Sequence, residues 1–145
     1  MRPLLEYACT VWDPHTKENI HRLEMVQHRY VRFVTGDYRY TSSVSAMLTK
    51  LQWPTLQERR ANLKMVLLYR ITHHQADTLQ HHLIPNTMSL CGHPNQYRVP
   101  FARTLIYQKA FFPDAIRMWN SLPADVVQCT SVENFKHEVQ QIKLR

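Results

Sequence analysis

The sequence predicts a mainly α-helical protein, and two patterns carry this prediction. Apolar residues recur at helical spacing over residues 16–35, and Gly36 stands where such a helix would stop. Further along, Thr55 and Glu58 have the spacing of a capping box and open a long apolar stretch that runs to residue 73. Two long helices are therefore expected in the first half of the chain.

Shorter elements surround the first long helix. Residues 3–9 have helical character and run into a turn at Pro14, which lacks an amide hydrogen and stops a continuing helix. Thr16 is the expected N-cap of the next helix, which runs to Thr35. One side of this helix is apolar and the other is basic, so we expect it to bury one face and expose the other.

The middle of the chain predicts a short helix and a central one. Residues 44–51 carry one apolar stripe, with Ser42 or Ser43 as the cap. Trp53 is placed to staple the entry of the helix that begins at residue 55. Since that helix is apolar on more than one side, a buried central position is expected.

The C-terminal half is less regular. Residues 74–99 contain several prolines and asparagines and predict a long connection. Residues 99–107 favour extended structure, and Pro100 restricts them to an edge, so one or two short edge strands are expected. Helices are expected over residues 113–120 and from Thr130 or Ser131 onward.

The expected fold class is therefore a helical bundle followed by a small α+β C-terminal region. The division that these patterns predict is a helical region over residues 1–74, a connecting loop over 75–98 and a C-terminal helical subdomain over 99–145.

Composition limits the classes of function. A chain of 145 residues that is 44% hydrophobic can build one modest core. Its formal net charge of +7 suits phosphate backbones or anionic surfaces, although many small domains with this excess use it only to remain soluble. The charge alone leaves nucleic-acid binding and mere solubility equally open.

The cysteines indicate a cellular compartment, and the small number of glycines excludes nucleotide-cofactor chemistry. Three scattered cysteines without a CxxC pair fit a reducing compartment, and no apolar stretch approaches the length that spans a bilayer. We expect an intracellular protein, nuclear or cytoplasmic, without a membrane partner. Two glycines cannot form a phosphate-cradling loop, so no nucleotide cofactor is expected.

Candidate catalytic and metal sites are weak. The nine histidines and the compact Cys91-Gly92-His93 invite a zinc interpretation, but paired ligands from two loops are lacking, so polar loop histidines are favoured. Neither Cys91 nor Cys129 lies in a nucleophile motif, and the carboxylates are too dispersed for two-metal chemistry. We expect no catalytic residue, no metal ligand and no cofactor in this chain.

Basic residues on the two long helices are the candidate nucleic-acid contacts, because two neighbouring basic faces could track a phosphate backbone. The alternative is an ordinary solvated face, and Glu24 interrupts the basic surface of the first helix. The candidate residues are Arg22, Arg29, Arg32, Arg59, Arg60 and Lys64.

Several short motifs follow one another along the chain, and together they are more specific for a protein family than any single motif. They are residues 2–8 (RPLLEYA), 11–14 (VWDP), 32–36 (RFVTG), 51–56 (LQWPTL), 111–113 (FFP), 119–123 (WNSLP) and 131–136 (SVENFK). With these motifs the chain resembles the region that follows the catalytic core in reverse transcriptases of non-LTR retrotransposons of the Jockey-like kind. The resemblance covers residues 2–142.

The resemblance implies a part of the thumb and the region beyond it, which grips template RNA and nascent DNA while the palm performs the chemistry. The parent enzyme would be a Mg²⁺-dependent RNA-directed DNA polymerase. This sequence contains no Asp-Asp pair of the kind that holds the metals in that palm. The resemblance therefore implies a non-catalytic fragment, with weak, non-specific binding of RNA and RNA/DNA duplex and with the missing fingers and palm as partners. The alternative is a stand-alone basic helical module of the host that binds nucleic acid or a protein.

Overall fold

The computed structural model describes residues 5–87 and 92–142. The described chain is mainly helical, which confirms the predicted class. It divides into two compact units, Met1–Arg60 and Ala61–Arg145. The helices are α1 (Cys9–Trp12), α2 (Lys17–Thr35), α3 (Val44–Lys50), α4 (Leu56–Thr72), a 3-10 helix (Asp77–His82), α5 (Leu105–Gln108), α6 (Phe111–Asn120), α7 (Ala124–Val127) and α8 (Val132–Gln141).

Helix α2 begins and ends where its sequence indicates. The Thr16 hydroxyl accepts a hydrogen bond from the amide of Asn19 at 3.4 Å, which caps the N-terminus. Gly36 ends the helix in the left-handed conformation at φ 65°, which a glycine adopts without a Cβ clash. The prediction of a helix between Thr16 and Gly36 is confirmed.

A small core joins α2 and α3 in the first unit. Val31, Met47 and Leu48 are buried, and Trp53 packs against them from the turn that follows α3. The Trp53 ring stacks on that of Tyr30, with centroids 5.7 Å apart. The Ser43 hydroxyl caps α3 by accepting from the amide of Ala46 at 3.4 Å, which selects Ser43 from the two candidate caps.

The capping box at the start of α4 is formed as predicted. The amide of Thr55 donates to the Glu58 carboxylate, and the amide of Glu58 donates to the Thr55 hydroxyl, both at 3.2 Å. The sequence did not predict the contribution of Glu24 on α2. Its carboxylate accepts from the amides of Leu56 at 3.2 Å and Gln57 at 2.8 Å. The amides at the first three positions of α4 therefore all have acceptors.

The larger core lies in the second unit. Trp119 is 1% exposed, and its ring contacts those of Phe135, at 5.8 Å between centroids, and Tyr97, at 6.4 Å. Helices α4, α6, α7 and α8 supply the buried residues of this cluster, together with Leu122 from the turn between α6 and α7. These residues are Ala61, Met65, Val66, Leu68, Tyr69, Ala115, Met118, Trp119, Leu122, Val126, Val127, Phe135 and Val139.

The WNSLP motif has a structural role at the end of α6. The indole of Trp119 donates to the carbonyl of Asn95 at 2.9 Å. The side-chain amide of Asn120 donates to the carbonyl of Tyr97 at 2.7 Å and accepts from its amide at 3.0 Å. The side chains of Trp119 and Asn120 therefore anchor residues 95–97 to the end of α6 through backbone hydrogen bonds.

The same segment satisfies the carbonyls at the helix end. A ring nitrogen of His93 lies 3.0 Å from the Trp119 carbonyl, and the Gln96 side-chain amide donates to that of Asn120 at 3.3 Å. Gly92 has a φ of 98°, and a Cβ there would lie 2.2 Å from the Gln96 side chain. Because of this positive φ, any other residue at position 92 would be strained, and it would also displace the Gln96 side chain.

Two expectations for the C-terminal half are wrong in detail. The long connection contains a 3-10 helix over Asp77–His82 and an isolated bridge between Pro85 and Tyr97. Residues 99–107 form no strand, and α5 begins within them, capped by the Thr104 hydroxyl. Their side chains are largely exposed, and the expected edge strands lack a pleated surface to pack on, which is the source of most β-propensity.

The compact units differ from the division that the sequence predicts. The boundary of the units falls after Arg60, within the residues of α4, rather than near positions 74 and 98. Residues 92–98 belong to the second unit, and His93 and Gln96 are buried there. This part of the expected connection is therefore anchored in the second unit through His93 and Gln96, although Pro94 and Asn95 between them are exposed.

Candidate nucleic-acid interface

Helix α2 exposes two of the candidate arginines. Its buried side carries Gln27 and Val31, whereas Arg22 and Arg29 lie on the exposed side. Arg22 pairs with Glu18 at 2.6 Å, but both side chains are more than 70% exposed. Such a surface pair contributes less than about 1 kcal/mol, so a phosphate can compete for the guanidinium. Within the described chain, the Arg29 side chain has no ion pair or hydrogen bond.

Arg32 has a different role, because its guanidinium is directed to the loop that follows α2. It donates to the carbonyl of Arg39 at 2.9 Å and to that of Ser42 at 3.5 Å. These bonds occupy two of the five N–H donors of the guanidinium and direct it toward the loop. We therefore assign Arg32 to positioning of the loop over residues 37–42.

The structure corrects the expected surface position of Arg59 and Arg60. Arg59 forms an ion pair with Glu6, and the two side chains are 16% and 20% exposed. The Arg60 side chain is 1% exposed, and its Nε lies 2.8 Å from the carboxylate of Asp13. A buried guanidinium needs a charged partner, and Asp13 supplies it from the turn after α1.

Lys64 requires the same correction within the second unit. Its ammonium lies 2.9 Å from the carboxylate of Asp114 on α6, and the side chains are 2% and 8% exposed. Because breaking a buried pair leaves an uncompensated charge, Lys64 remains paired rather than reaching a phosphate. Of the six candidates, the structure thus brings Arg22 and Arg29 together on one exposed face and places Arg59, Arg60 and Lys64 in ion pairs.

Exposed aromatic side chains at the end of α2 and in the loop after it were missed by sequence reasoning. Phe33, Tyr38 and Tyr40 are 71%, 66% and 100% exposed. Phe33 is four residues after Arg29 and shares its helix face. The sequence Tyr38-Arg39-Tyr40, which follows the end of a predicted helix, was the available signal. Aromatic residues outside a helix do not belong to its apolar face, so their exposure could have been expected.

The histidines and cysteines that suggested metal or thiol chemistry can be placed in part. The described residues contain no group of three or more His, Cys, Asp or Glu side chains that could hold a metal ion. Cys91, the thiol of the zinc interpretation, lies outside the described residues. Burial raises the pKa of the Cys9 thiol, with the nearby Asp13 carboxylate adding to the effect, which opposes formation of the nucleophilic thiolate. The thiol of Cys129 donates to the carbonyl of Asp125 at 3.7 Å.

Among the helices of the described chain, none is both long enough and apolar enough to cross a membrane. Comparisons with protein-family models, curated proteins and solved structures found no match to this chain. The geometry of α2 and its following loop is therefore the basis on which a function is proposed.

Proposed function

We propose that this chain is a non-catalytic piece of a reverse transcriptase of the non-LTR kind, which contacts the phosphates of RNA and RNA/DNA duplex. The motif resemblance supports the class of protein. The exposed guanidinium groups of Arg22 and Arg29 on one side of α2 are the observation that supports the contact. Arg59, Arg60 and Lys64 stabilise the fold in this proposal and do not contact the phosphates.

The expected binding is weak and does not depend on sequence. Two arginines neutralise about two phosphates, so log K should fall with log salt at a slope of about −1.8 on duplex. The dissociation constant should lie in the non-specific range, about 10⁻⁴ to 10⁻⁶ M at physiological salt. A backbone contact of this kind carries no base readout.

Fluorescence anisotropy with labelled RNA and RNA/DNA duplexes, titrated at several salt concentrations, tests this proposal. Arg22→Gln and Arg29→Gln together should weaken binding to every sequence alike and remove most of the salt dependence. Arg70→Gln, at an exposed arginine in the last turn of α4, is the matched control for loss of one charge. A salt-independent affinity, or equal losses in the control and the double variant, would refute the phosphate contact.

Primer extension tests whether the chain has polymerase activity. The purified chain should extend no primer on an RNA template with Mg²⁺ or Mn²⁺, because its carboxylates are dispersed along the sequence. Extension that disappears on heat inactivation would overturn the fragment proposal.

A protein-binding module of the host is the second candidate, and one observation favours it. Phe101, Leu105 and Ile106 are 86%, 60% and 74% exposed, and they lie within six consecutive positions of the second unit. A cluster of exposed large apolar side chains is typical of an interaction surface. Genomic context separates the candidates. An upstream frame that encodes an Ala-Asp-Asp palm and an endonuclease supports the fragment, whereas a promoter with spliced flanking exons supports the host module.

A further inference from the structure

Three aromatic rings lie in solvent within eight consecutive residues of the first unit. Phe33 belongs to the last turn of α2, and Tyr38 and Tyr40 belong to the loop that follows. Tyr40 is 100% exposed, so its ring makes no packing contribution to either described core. Aromatic rings are usually buried at least in part, since each carries a large apolar surface. Three exposed rings so close together indicate a surface for a ligand.

The loop that carries the two tyrosines has a defined backbone. Arg32 donates to two of its carbonyls, and the amide of Ser42 donates to the carbonyl of Arg39 at 3.2 Å. The Asp37 carboxylate accepts from the amide of Arg39 at 3.0 Å. A hydrogen bond from the Ser42 side chain, together with that amide, lowers the pKa of Asp37, because both bonds favour the ionised carboxylate. The rings therefore project from a hydrogen-bonded turn.

The charge around these rings is positive. Residues 29–42 contain three arginines and one aspartate. Arg29 and Arg39 are exposed; Arg29 is one helical turn before Phe33, and Arg39 lies between Tyr38 and Tyr40. This arrangement suits a ligand that presents flat apolar faces at intervals along an anionic backbone.

We propose that Phe33, Tyr38 and Tyr40 stack on unpaired bases of single-stranded RNA or DNA, while Arg29 and Arg39 contact its phosphates. The inference rests on the proposed nucleic-acid function and deepens it by naming the form of nucleic acid. Base pairs inside a duplex are stacked on each other and offer no free face, whereas every unpaired base has one. Stacking on a protein ring tolerates any base, so the site needs no sequence preference.

A protein partner is the other occupant to weigh, since Phe, Tyr and Arg are enriched in protein interfaces. The choice between a protein and a nucleic-acid strand therefore rests on the charge. Residues 29–42 carry three arginines against one aspartate, and Arg39 lies between Tyr38 and Tyr40 in the sequence. Charge complementarity therefore favours the single strand as the occupant.

Anisotropy titrations of a labelled single-stranded oligouridylate and a blunt RNA hairpin test the inference with the full chain. Tyr40→Ala should weaken binding of the single strand by at least about fivefold, because one base–ring stack contributes roughly this much, and should leave hairpin binding unchanged. Tyr40→Phe keeps the ring and should restore single-strand binding. Tyr7→Ala is the matched control, since Tyr7 is 79% exposed in the same unit but does not belong to the group of Phe33, Tyr38 and Tyr40.

The outcomes separate this inference from the proposed function. If Arg29→Gln weakens binding of both ligands while Tyr40→Ala and Phe33→Ala weaken neither, stacking is overturned and the phosphate contact stands. If neither ligand binds, both proposals fall. A dimer in sedimentation that Tyr40→Ala abolishes would identify a protein-docking surface and overturn the inference. Circular dichroism and the thermal midpoint check that Tyr40→Ala is folded, and a folded variant is expected because the side chain is fully exposed.

Discussion

Replacing Trp119 by alanine should destabilise the second unit more than any exposed substitution in it. The side chain is 1% exposed and lies among the rings of Tyr97 and Phe135. Truncating a buried tryptophan removes its transfer free energy and leaves a cavity, which together lower the free energy of unfolding by about 3 to 5 kcal/mol. The lost indole bond to Asn95 adds little, because the exposed Asn95 can turn its carbonyl to water.

Thermal and urea unfolding followed by circular dichroism provide the measurement. A loss of 3 kcal/mol should lower the midpoint of a unit of this size by at least about 12 °C. Phe101→Ala is the matched control, since Phe101 is 86% exposed and its loss should change the free energy of unfolding by no more than about 0.5 kcal/mol. A midpoint for Trp119→Ala that equals that of Phe101→Ala would refute the argument from burial.

Two further predictions concern single side chains. Glu24→Ala should lower the free energy of unfolding by about 2 kcal/mol, because two amides of α4 lose their acceptor. Glu24→Gln keeps one acceptor oxygen and should lower the free energy of unfolding by less. Urea unfolding compares the two variants, and equal losses of stability would show that these hydrogen bonds are unimportant. Tyr69 donates to the carbonyl of Cys129 at 2.6 Å, and burial raises its pKa above the ordinary value of 10.0. Its contribution to stability is therefore fully present below about pH 10 and is lost as pH rises through the folded-state pKa. Tyr69→Phe should flatten that alkaline loss in urea unfolding between pH 8 and 11, and an unchanged pH profile would contradict the assignment to Tyr69.

Local patterns predicted much of the fold because the interactions that define those elements are themselves local. The cap at Thr16, the left-handed stop at Gly36 and the reciprocal bonds of Thr55 and Glu58 all join residues within a few positions. The edge strands failed for the opposite reason, since a strand exists only through a partner elsewhere in the chain.

The candidate site was harder to predict, because the fate of a charged side chain depends on distant partners. Asp13 lies 47 positions from Arg60, and Asp114 lies 50 positions from Lys64. A signal was nevertheless present, since Leu56, Arg60 and Lys64 follow one another at intervals of four in a helix that is apolar on several sides. Residues four apart share a helix face, so charges in such a row are expected to need carboxylate partners.

These ion pairs also determine where the charge excess of the protein lies. Each pair of Arg59, Arg60 or Lys64 with its carboxylate removes one charge of each sign, so the formal excess of +7 belongs entirely to the other residues. Long-range attraction to an anionic backbone is therefore undiminished by the loss of three candidate contacts. In the proposed complex with a single strand, Arg29 and Arg39 would neutralise phosphates beside the aromatic rings that stack on its bases.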